Sequence, residues 1–118
     1  MEETVTEFYR TEDGLVYVLD CGKLTAKLIQ SPKATGDVII PATLNYKNQD
    51  YKIVTIGEAA LSNNKAIKSI KFGQDSPLNA IEKQAFASSS IESISFPVNL
   101  TRIGEGAFGN CDNLQKVE

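Results

Sequence analysis

The 118-residue chain contains no histidine and only two cysteines, Cys21 and Cys111. Without imidazole, His-based catalytic triads and dyads are excluded, as are zinc sites with imidazole ligands. Two cysteines so far apart in sequence do not form a metal-binding motif. There is no glycine-rich phosphate loop, and no apolar run approaches the roughly 20 residues of a membrane-spanning helix. The start, MEETVTEFYR, lacks the basic and apolar regions of a signal peptide. Two readings stand: a cytosolic protein, or one given without its export signal.

Positive charge is also sparse where a nucleic-acid binder would concentrate it. The net charge is −3, and residues 1–20 hold six acids against the single base Arg10. The rest of the chain holds nine acids and eleven bases, with lysines scattered along it. No basic stripe is present to displace counterions from phosphates, so nucleic acid is not an expected partner.

What the sequence does have is repetition. Aligning Ile56, Ile81 and Ile103, spaced 25 and 22 residues apart, brings apolar residues into six matched columns. Ile53, Leu78 and Leu100 stand three residues earlier. Ala60, Ala85 and Ala107 stand four residues later, followed by Leu61, Phe86 and Phe108. Ile67, Ile91 and Leu114 come next, then Ile70, Ile94 and Val117. Phe72 and Phe96 close two units, and the third stops short of that position. Length differences fall in polar, turn-rich stretches such as Gly73-Gln74-Asp75-Ser76-Pro77, as loops allow.

Each unit has two halves. The spacing I-x-x-x-A-F places Ile, Ala and Phe within about one turn of helix, which predicts a short helical or 3₁₀ segment. The second half, I-x-x-I-x-F, ends in alternation: Ile70 and Phe72 inward, Ser69 and Lys71 outward. The expected fold is therefore an α/β repeat solenoid, a short leucine-rich-repeat stack of parallel strands and helical turns.

The lead-in reads as strands. LVYVLD and KLTAKLIQ meet at Asp20-Cys21-Gly22-Lys23, and FYRTEDGLVYV turns at Asp13-Gly14. Val38 and Ile40 occupy the inward positions later taken by Ile70/Phe72 and Ile94/Phe96. A solenoid core has to be covered at its ends, so residues 1–52 are read as an N-terminal β-hairpin cap. Residues 53–118 are read as repeats, two complete and one truncated.

The phrases I-G-E-x-A-F, G-N-C-x-N-L-Q-K-V and S-I-S-F-P resemble the BspA-like leucine-rich repeats of bacterial and protozoan surface proteins. The segment GDVIIPATLNYKNQDYKIVTIGEAAL is similar to the usual entry into such an array: a strand ending in Ile-Pro, a hairpin, then a Tyr-Lys-x-Val-x-x-Ile-Gly strand. The resemblance covers roughly residues 36–118. It departs at Leu61, where Phe is usual, and at a cysteine position missing from the second unit. It implies a secreted or cell-surface adhesion module that binds a protein or glycan, such as a host extracellular protein. The extracellular location rests on this resemblance.

No residue set promises catalysis, and neither enzyme activity nor a cofactor is expected. Cys111 lies in a repeat position where the family often has cysteine; a reduced, mostly buried thiol is expected there. Stacking order opposes a bond to Cys21. Glu58, Glu82 and Glu105 suggest an acidic row that a calcium or hydrolase site would use, but with Lys83 interleaved it reads as a solvated face. Asn99-Leu100-Thr101 is a glycosylation sequon only in an exported eukaryotic chain. Tyr9, Tyr17, Tyr46 and Tyr51 suit strand packing. The candidate partner-binding residues are those between core columns on a concave strand face: Ser69, Lys71, Ser93, Ser95 and Lys116, with Glu118 beyond and Pro97 and Gly73 bordering. Self-association through the C-terminal repeat edge is the competing expectation.

Overall fold

The computed structural model describes residues 6–117. The strands are β1 (Thr6–Arg10), β2 (Val16–Asp20), β3 (Thr25–Ile29), β4 (Gly36–Ile40), β5 (Thr43–Tyr46) and β6 (Gln49–Ile56). They continue with β7 (Ile67–Phe72), β8 (Ala80–Ile81), β9 (Ser93–Ile94), β10 (Arg102–Ile103) and β11 (Lys116–Val117). Each repeat contributes one strand to each of two sheets. Sheet A runs β1-β2-β3-β6-β8-β10, with β5 paired to β6; sheet B runs β11-β9-β7-β4. From β3 and β4 onward the rungs are parallel. Two strands of the expected cap thus already lie in the two ladders.

The register sets the matched columns side by side. Ile56 pairs with Ile81 and Ile81 with Ile103, while Ile70 pairs with Ile94 and Ile94 with Val117. Val38 pairs with Ile70, and Ile40 with Phe72, as the lead-in pattern predicts. These apolar residues fill the space between the sheets: Ile53, Ile56, Leu61, Ile67, Ile70, Leu78, Ile81, Phe86, Ile91 and Ile94 are all buried. In the third unit only Ala107 is buried, Leu100, Phe108 and Leu114 are half-buried, and Ile103 and Val117 are exposed. Each rung's core residues are covered by the rung after it, and among the described residues none follows this one.

The helical turns are a correction. No helix occurs among the described residues; residues 57–63, 82–88 and 104–110 are chains of tight turns. In each, the backbone is left-handed at two matched positions: Ala59 and Asn63, Gln84 and Ser88, Gly106 and Asn110. The reason lies in where the N–H groups go. Ala59, Leu61 and Asn63 donate to the carbonyls of Lys83, Ala85 and Ala87 in the next coil. Gln84, Phe86 and Ser88 do the same to Glu105, Ala107 and Gly109. Intervening N–H groups close i→i+3 turns, such as Ala60 to Gly57 and Ala85 to Glu82. A helix sends every N–H back along its own axis, whereas these segments send alternate ones sideways. The Ile-Ala-Phe spacing fits both geometries, so sequence period alone did not distinguish them.

Close approach of the coils also explains a glycine. A Cβ on Gly104 would stand 2.5 Å from the backbone nitrogen of Lys83, inside any permitted contact.

The N-terminal strands are joined by tight turns. The β2–β3 turn is closed by Asp20, whose Oδ1 accepts from the N–H groups of Gly22 and Lys23, each at 3.0 Å. Gly14 at φ 93° makes the β1–β2 turn. Lys47 and Asn48, both left-handed, join β5 to β6, the conformation a two-residue hairpin demands. Across these strands, the Tyr46 hydroxyl donates to Glu7 Oε2 at 3.0 Å, and the Tyr9 and Tyr46 rings meet edge to face at 6.0 Å. β1 is thereby clasped to the β5–β6 hairpin.

Tyr17 is fully buried, and among the described residues its hydroxyl has no hydrogen-bond partner. Burial, with smaller effects from Asp13 and Tyr9, holds its phenol well above the ordinary tyrosine range. An unsatisfied buried hydroxyl costs the fold, so Tyr17→Phe is expected to raise stability by about 1 kcal/mol in urea titration. A loss of stability would show that the oxygen is bonded after all. Because the phenol holds its proton to higher pH in the folded chain than in the unfolded one, stability is independent of this group below about pH 10 and falls as pH rises from there toward the folded value. The variant should therefore lose part of the alkaline destabilisation seen in the parent.

Candidate interaction surface

The outward face of sheet B carries the sequence-derived candidates. Registers place Asp37, Ser69, Ser93 and Lys116 in one row across β4, β7, β9 and β11. Ile39 and Lys71 form the start of a second row. Ser95 lies just past β9, held there by its N–H to the carbonyl of Ile70 at 3.3 Å. The five residues therefore share a face because strand alternation repeats in register from coil to coil. Glu118 lies outside the described residues.

They are not equally available. Lys71 and Lys116 are exposed, and Ser93 and Ser95 are half-buried. Ser69 is buried, its hydroxyl donating to Asp37 Oδ1 at 2.8 Å. Asp37 and Ile39 were not singled out from the sequence, though both extend the face, Ile39 with 62% of its surface exposed. The signal for them was present: alternation around Val38 and Ile40 puts 37 and 39 outward.

The other sequence candidates are dispersed. Glu58 and Glu105 are exposed, while Glu82 accepts a hydrogen bond from the Glu58 N–H at 3.2 Å and faces Lys27 Nζ at 3.4 Å. Its carboxylate ties coils together. Among the described residues no group of three or more Cys, Asp or Glu is arranged to hold a metal ion. Cys21 and Cys111 are free and each half-buried. The Cys111 thiol donates to the carbonyl of Phe86 at 3.0 Å, and Tyr51 donates to Cys21 Sγ at 3.6 Å. That bond to Cys21, with burial behind it, raises the Tyr51 phenol above its usual range. Asn99 is exposed, its amide donating to the carbonyl of Ser76 at 3.1 Å. Among the described residues no helix is long and apolar enough to cross a membrane.

Parallel rungs of this period, each crossing two sheets around an apolar core, define a leucine-rich-repeat solenoid. The family is also shown by sequence: the chain belongs to the BspA type leucine-rich repeat region (6 copies), matched over residues 42–118. No curated protein matches the chain by sequence. Among solved structures, it is similar to the pneumococcal vaccine antigen PcpA, at 17% identity and a TM-score of 0.62. That match covers 98% of this chain and 38% of PcpA, so the chain spans well under half the length of that protein. A leucine-rich repeat protein from Bacteroides capillosus ATCC 29799 is similar at 20% identity and a TM-score of 0.55, covering 98% of this chain and 97% of that one. At these identities the likeness concerns the fold.

Proposed function

We propose that the protein is a non-catalytic interaction module of the cell surface or extracellular space, binding a protein or glycan through the outward face of sheet B. The observation that carries this reading is the in-register row Asp37–Ser69–Ser93–Lys116, flanked by Ile39 and Lys71. Short parallel rungs fix these side chains on a rigid scaffold, so a partner meets them with little ordering cost. Hydroxyls and lysines on an open face suit macromolecular contact better than an enclosed small-molecule site. Membership of the BspA-type repeats supports the surface location. Residues 1–52 serve as cap and 53–118 as the array in this reading.

The test is a screen of extracellular-matrix proteins and glycans, followed by joint replacement of Lys71, Ser93 and Ser95 with glutamate. Affinity is expected to fall by about tenfold or more as charge on the face reverses. A folded variant with full affinity would remove the face from consideration.

A second reading, assembly through the last rung, is favoured by Ile103 and Val117, which are 49% and 55% exposed on β10 and β11. Exposed apolar edge strands recruit further strands. In sedimentation of the 118-residue chain, this reading expects concentration-dependent association that Ile103→Lys with Val117→Lys abolishes. A strict monomer at high concentration would end it.

A further inference from the structure

The outer face of the N-terminal strands departs from the pattern of the rest. In an antiparallel sheet with one solvated face, outward positions are normally polar. Along β2, however, Tyr17 and Leu19, with Leu15 just before the strand, fill the core while Val16 and Val18 point outward. The register places Phe8 beside Val18, and Val16 beside both Arg10 and Ile29. Phe8 is 52% exposed. Phe8, Arg10, Val16 and Ile29, with Pro32 and Lys33 from the following turn, line an open groove of about 470 Å³. The groove is held in shape by Gly14, which seats the β1–β2 turn directly against the backbone of Lys33.

Two cations stand in this groove, Arg10 from β1 and Lys33 from the turn. Both are exposed, and among the described residues neither has a carboxylate partner; the two ion pairs are Lys27–Glu82 and Lys47–Glu7. Glu12 and Asp13 lie close in sequence yet pair with neither. Among the described residues β1 is also the last strand of sheet A, so a segment running alongside it meets an open backbone edge.

We propose that this groove is a second binding site, distinct from the face of sheet B, for an extended peptide segment of a partner protein carrying apolar and acidic side chains on one face, at every second position. The apolar side chains would rest on Phe8, Val16 and Ile29, and the carboxylates would meet Arg10 and Lys33. Charge selects this occupant. A second copy packed through the same face would set Arg10 and Lys33 against a like-charged surface. An anionic bilayer would present a plane of charge to Glu7, Glu12, Asp13 and Asp20 as well as to the two cations.

The experiment titrates the isotope-labelled 118-residue chain with two synthetic peptides, acetyl-ESFSVSE-amide and acetyl-KSFSVSK-amide, and follows backbone amide shifts. The acidic peptide is expected to move the amides of Phe8, Arg10, Val16, Ile29 and Lys33, while the basic peptide leaves them still. Arg10→Glu with Lys33→Glu should weaken the acidic peptide by about tenfold or more and admit the basic one. Phe8→Ser should weaken binding without moving the melting temperature by more than a few degrees. The Lys71, Ser93 and Ser95 glutamate variant should bind the peptide as the parent does, which separates this site from the sheet B reading. Equal binding of both peptides, shifts elsewhere, or no shift at millimolar peptide would overturn the proposal. A dimer dispersed by Phe8→Ser would overturn it in favour of a second copy, and sedimentation with anionic vesicles lost on the same change would do so in favour of a membrane.

Discussion

Phe86→Ala is expected to cost about 3–5 kcal/mol, through lost burial and the cavity left behind. Phe86 is fully buried in the middle coil and stacks on Phe108, with ring centroids 5.1 Å apart and an interplanar angle of 8°. Phe108 in turn meets Phe96 edge to face at 5.9 Å. Removing Phe86 therefore leaves Phe108 without its stacking partner and opens the space between the second and third coils. The backbone there is fixed by the Phe86 N–H to the carbonyl of Ala107 at 2.7 Å, so the coils have little freedom to collapse inward. A domain of ordinary stability, about 5–15 kcal/mol, would lose a large share of it. Phe86→Leu, which retains most of the volume, should cost much less. Urea titration of the two variants checks this, and a cost under about 1 kcal/mol for alanine would place the core elsewhere.

Asn64→Ala is expected to be nearly as damaging, at about 3–4 kcal/mol, because it takes a hydrogen-bond partner from four backbone groups at once. Asn64 is buried, and its amide donates to the carbonyls of Ser31 at 3.3 Å and Ala34 at 2.9 Å. Its Oδ1 accepts from the N–H groups of Ala66 at 2.8 Å and Ile67 at 3.1 Å. One side chain thus joins the turn before β4 to the start of β7 and satisfies both. Asn64→Asp keeps the two accepting bonds and loses the two donated ones, so it should also destabilise. If denaturation shows alanine to cost less than about 1 kcal/mol, water reaches these groups and the tie is not structural.

The acidic row shows how a sequence pattern and a structure part company. Glu58 and Glu105 share one repeat position and Glu82 sits a residue earlier, which suggests three carboxylates in line. Folded, Glu82 is drawn aside by the Glu58 N–H and by Lys27, a residue from a strand of the lead-in. Nothing local to the repeat announces Lys27 as its neighbour.

Periodicity by itself determined which residues are inside in the first two repeat units, though not in the third, where Ile103 and Val117 are exposed. Burial depends on which face an apolar residue occupies, and a repeat states that face three times over; Ile56, Ile81, Ile70 and Ile94 are neighbours because their columns match. Turn chemistry at Asp20-Cys21-Gly22-Lys23 and Asp13-Gly14 was equally legible, being written in adjacent residues. The tertiary structure alone decided the conformation of the connecting segments. Ile-Ala-Phe spacing satisfies a helix, but in the stack the N–H groups of Leu61 and Phe86 find carbonyls in the next coil, and a partner offered from outside outweighs a local preference. It also decided which polar residues are consumed by the fold and which stay open to solvent. Ser69 and Lys71 look alike in the alternation, yet Ser69 is spent on Asp37 and Lys71 reaches solvent. Those choices depend on residues far apart in sequence, whose meeting only the folded chain arranges.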